Sequence, residues 1–83
     1  MKITKNNIRS EVREILYYIN ETLPRYHREQ IIEEAMENED VVAQTRKYIS
    51  IIDSIDDYDR KQEAQDELYD FLEPILTNII ENI

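Results

Sequence analysis

Apolar residues recur along this chain at spacings of three and four, the period of helices packed by one face. Ile8, Val12, Ile15, Leu16 and Ile19 form the first stripe. Asn7 is placed to cap that helix, since its side chain can accept from the free amides of the first turn. The spacing predicts a first helix over 7–22, preceded by a frayed polar arm at 1–6. Leu23 precedes Pro24 and is pushed out of the α region, which ends the helix.

Pro24 suits the first turn of a second helix, where its missing N–H is no loss. Ile31, Ile32, Ala35 and Met36 give that helix its apolar side, and it ends near Glu37. Asn38 is then a cap, followed by Glu39 and Asp40 in a first turn whose dipole favours acids. The third helix carries Val41, Val42, Thr45, Tyr48, Ile49, Ile52 and Ile55 and runs to about Ser54. A break is expected near Asp56, with Ser54 and Asp57, or Asp56 and Asp59, as the capping pair.

The last third holds the strongest stripe: Leu68, Phe71, Leu72, Ile75, Leu76, Ile79, Ile80 and Ile83. Pro74 lies inside it, and a proline there removes one hydrogen bond and crowds the carbonyl of Asp70. Because the stripe keeps phase across Pro74, a kink is expected rather than a stop. Unbroken, residues 57–82 would reach roughly 39 Å, against about 24 Å for the first and third helices. Either the end of the chain folds back over the bundle, or Ile75, Leu76, Ile79, Ile80 and Ile83 meet a second copy. The expected fold is an all-α single domain over 1–83: a small four-helix bundle, its last helix kinked at Pro74, with dimerisation through the C-terminal stripe as an option.

Composition narrows the chemistry. There is no glycine and no cysteine, and there is one histidine among 83 residues. Phosphate-cradling and dinucleotide-binding loops need glycine, and thiolate metal sites need cysteine, so both are excluded. His27 has no nucleophile or orienting partner marked out for it, and a flank position on the second helix is its expected role. The aspartates at 53–59 lack the central glycine of a calcium loop. No catalytic constellation, cofactor site or metal site is expected, and the protein is not read as an enzyme.

Charge is the remaining signal. Nineteen acids and ten bases give a net charge of −9. Residues 1–28 carry +3 and residues 29–83 carry −12. Such a surface repels nucleic acid and favours basic partners. No apolar run can span a bilayer and no leader pattern opens the chain, so a cytoplasmic protein without membrane contact is expected. On the last helix, Asp59, Glu63, Asp66, Asp70 and Glu73 form a ladder at helical spacing. Like charges so arranged cost a helix about 1 kcal/mol in total. Tyr69 stands on the flank of this ladder, where a tyrosine offers contact area and a hydrogen-bonding tip. Glu33 and Glu37 belong to a second acidic patch on helix two. These eight residues are the candidate partner-binding set. The ordinary explanation is a solvated face, partly neutralised by Arg9 and Arg13. The functional expectation is a phage- or mobile-element-type inhibitor that occludes a basic nucleic-acid-binding or nuclease surface. A homodimeric assembly module, or an immunity-type protein that neutralises a toxin, is the alternative.

Overall fold

A computed structural model describes residues 2–82. Its elements are α1 (Lys5–Ile19), α2 (Arg25–Met36), α3 (Glu39–Ser54) and α4 (Tyr58–Glu81), with no strand among the described residues. α4 has 24 residues, or about 36 Å of helix, and the molecule measures 38 × 23 × 19 Å. The last helix therefore runs the length of the protein, and the other three all pack against it.

Each helix begins where a side chain takes over the amides that no carbonyl can reach. At α1 the cap is Thr4 rather than Asn7. Thr4 Oγ1 accepts from the Asn7 amide at 3.2 Å, and Asn7 Oδ1 accepts from the Thr4 amide at 2.9 Å. This reciprocal box uses asparagine where glutamate is usual. It starts the helix two residues before Asn7, so the expected frayed arm is largely absent: Lys5 and Asn6 are helical and Ile3 packs on the core. α1 also ends early, at Ile19. Asn20 Oδ1 accepts from the amide and hydroxyl of Thr22, at 3.1 and 2.8 Å, and this local bond competes with a further helical turn. Pro24 sits just outside α2, at its N-cap position.

Asn38 caps α3 as expected, accepting from the amides of Asp40 and Val41. The break between α3 and α4 falls at 55–57. Neither expected pair caps α4: Asp57 does so, accepting from the Asp59 amide at 2.9 Å. The Ser54 hydroxyl instead donates back to the Ile51 carbonyl.

The core draws on all four helices. Ile8, Val12, Ile15 and Leu16 meet Ile31, Ile32 and Ala35, with Val41 and Ile49 from α3. Leu68, Leu72, Leu76 and Ile79 close it from α4. Leu76 is 0% exposed, so it has no surface to offer a second copy, and Ile79, 9% exposed, offers little. That corrects their expected role as oligomer contacts. α2 also packs against α4, and its Glu34 with the following Asn38 borders an open groove whose other side is Pro74, Ile75, Asn78 and Ile79. Ile75 and Ile80 remain half-buried, and Ile83 lies outside the described residues. α4 continues through Pro74 without a break. Pro74 is exposed, so water can take the carbonyl its missing N–H leaves free.

Candidate protein-binding surface

The core stripe of α4 determines what faces outward. With Leu68, Leu72 and Ile79 turned inward, a 3.6-residue period places Asp59, Glu63, Asp66, Asp70 and Glu73 on the opposite side. All five are exposed. The ladder extends over roughly 21 Å, with carboxylates about 5 Å apart along the axis. One strand of DNA carries a charge about every 3.4 Å, so the ladder is sparser but of the same order.

The cations of α1 do not neutralise it. Arg9 Nε lies 3.0 Å from Glu33 Oε1, although its N–H is not aligned for a hydrogen bond. Arg13 Nη2 donates to Glu29 Oε2 at 3.3 Å. Both pairs tie α1 to α2. Among the described residues no ion pair engages any carboxylate of the α4 ladder. Glu33 is thus matched inside the molecule, whereas among the described residues Glu37 and the five acids of the α4 ladder are exposed without an ion pair.

Tyr69 is half-buried against the core at the border of the ladder. Burial first, and then the carboxylates of Glu73 and Asp70, push its phenol pKa above the ordinary 10.0. It stays a neutral donor through the physiological range. The fold brings it a neighbour from another helix. Tyr18, Gln62, Gln65, Asp66 and Tyr69 line one open groove of about 520 Å³ between α1 and α4. Tyr18 is 60% exposed there and Tyr17 50%. Their rings meet edge to face, with centroids 6.4 Å apart and planes at 70°. Adjacent helical residues point about 100° apart, so at most one of this pair can be on the core face. Neither is, because the stripe from Ile8 to Leu16 leaves both outside it. Helical period alone would have put Tyr18 on a flank; that the flank borders Asp66 depends on how α1 packs on α4.

The other singled-out groups stand apart. His27 is half-buried with its ring 5.6 Å from that of Tyr26. Tyr26 and Tyr58 are well exposed, whereas Tyr48 packs on the core. No three His, Asp or Glu residues converge on a common metal position among the described residues. Among the described residues no helix is long and apolar enough to cross a membrane. Comparison of the chain with family models, with curated proteins and with solved structures finds no match.

Proposed function

We propose that this chain is a small protein-binding module whose α4 face occludes a basic nucleic-acid-binding or nuclease surface, as inhibitors of phages and mobile elements do. One observation carries this: the molecule pairs two acids of α2, Glu29 and Glu33, with its own arginines, whereas among the described residues no cation pairs with the α4 ladder. An unpaired row of like charge costs its helix stability and gains most where a partner supplies the cations. Tyr69 and Tyr18 at its border supply the rigid aromatic area that interface anchors need. A bend at Pro74 belongs to the same proposal, since it would turn Asp70 and Glu73 at the lower end of the face. Homodimerisation through the C-terminal stripe stands second, with only Ile75 and Ile80 left among the described residues to carry it.

The test is retention of host proteins on immobilised wild type and on an Asp66→Lys/Asp70→Lys variant, at low and moderate salt. A basic nucleic-acid-binding protein held by wild type alone, and shed as salt screens the contact, supports the proposal. The variant should remain folded, because both positions are exposed. Equal retention by both proteins, or no basic protein on either, would sink it.

A further inference from the structure

A second surface has the opposite character. Ile3 with the start of α1, the end of α2, and α3 from Glu39 to Ser50 surround an open groove of about 680 Å³. Its floor is apolar, built from Ile3, Met36, Val42 and Ala43. Ile3, Met36 and Val42 are only half-buried, and Ala43 is exposed. Lys5, Arg46 and Lys47 stand around that floor, and Glu39 is the one acid in its lining. In a chain with nineteen acids to ten bases, this groove inverts the ratio. None of its three cations pairs with a carboxylate among the described residues. α1 adds to the field, because it starts at this groove with no acid in its first turn, and a helix N-terminus carries partial positive charge.

We infer that this groove seats an amphipathic helix of a partner protein, one whose apolar stripe is flanked by Asp and Glu. Val42, Ala43, Arg46, Lys47 and Ser50 follow one another at helical spacing along α3, so floor and cationic edge run parallel, as a helix-in-groove contact requires. Met36 supplies an adaptable apolar contact that re-packs around different side chains. Charge complementarity sets the flanks, since carboxylates beside the stripe meet Lys5, Arg46 and Lys47. Scale selects a peptide over a nucleic acid or an anionic membrane. Screening confines each charge to about 8 Å at physiological salt, so a ligand held within the groove meets its local cations. A long polyanion would also overlie the acidic remainder of the surface. The inference does not depend on the α4 face, which no residue of this groove shares.

The experiment is an amide chemical-shift titration of the full chain with a synthetic helical peptide bearing a leucine stripe flanked by glutamates. A counterpart with lysine for each glutamate serves as the control. Ile3, Val42, Ala43 and Arg46 should shift with the acidic peptide and not with the basic one. Arg46→Glu/Lys47→Glu should weaken the acidic peptide by about tenfold or more, while the remaining amide spectrum reports that the fold persists. Equal binding of both peptides, shifts centred on α4, or no shifts at all would overturn the inference. So would an oligonucleotide that moves the same amides with equal affinity. A concentration-dependent dimer dissolved by the double reversal would put a second copy in the groove and overturn it too.

Discussion

Thr45 is fully buried on α3, and its Oγ1 has no hydrogen-bond partner among the described residues. A hydroxyl taken out of water without a partner costs about 1–3 kcal/mol. Thr45→Val keeps the shape and removes that cost, so it should stabilise the fold by about 1 kcal/mol. In a domain of this size the melting temperature would rise by about 4–8 °C, which thermal unfolding followed by circular dichroism will read. Glu11 is a second residue held against its preference. Burial first, and Glu14 next, raise its carboxyl pKa above the ordinary 4.5. A raised folded value means that the native state binds the proton more tightly than the unfolded chain. The resulting stabilisation is present below about pH 4.5 and is lost as pH rises through the folded value. Glu11→Gln should accordingly melt higher than wild type at pH 7, with the difference closing as the pH falls through the raised folded value towards 4.5. A difference that widened on acidification would contradict the burial argument.

At the scale of elements, the stripes marked four helices, because one-sided burial writes a 3.6-residue period into any packed helix, whereas the α3–α4 break was marked by the capping residues around Asp56. Ends were legible only where a single side chain decides them. Asn38 could be named from its position, but Thr4 and Asn7 are both good caps, and the choice rests on their reciprocal bonds. The exposed ladder was equally legible, since it is the complement of the core stripe. Which arginines neutralise which acids was not, because Arg9 and Arg13 could turn toward either neighbour until α1 was seen to pair with α2. The cover of the α4 end was also hidden, being a contact between helices distant in sequence. Leu76 shows what that cover is worth. Leu76→Ala should cost about 2–5 kcal/mol through the cavity it leaves, measured by urea unfolding. Were Leu76 part of a subunit contact instead, the loss would depend on protein concentration; no such dependence is expected.

The molecule as a whole is polarised, with an unmatched acidic row along α4 and a cationic, apolar-floored groove where α1, α2 and α3 come together. Its margin is narrow: a domain of this length is worth roughly 4–12 kcal/mol in total. One backbone feature helps to hold that margin. The chain contains no glycine, and no described residue has a positive φ, so all three connections are made from ordinary extended and right-handed conformations. The consequence lies in the state the protein leaves on folding. Glycine gives an unfolded chain its widest freedom, and a chain without it starts from a narrower ensemble with less entropy to surrender. No connection holds strain that glycine would relieve, so Glu21→Gly in the α1–α2 loop can only widen the unfolded ensemble. It should cost about 0.5–1 kcal/mol, seen as an earlier urea midpoint, though it removes none of the hydrogen bonds that hold the loop.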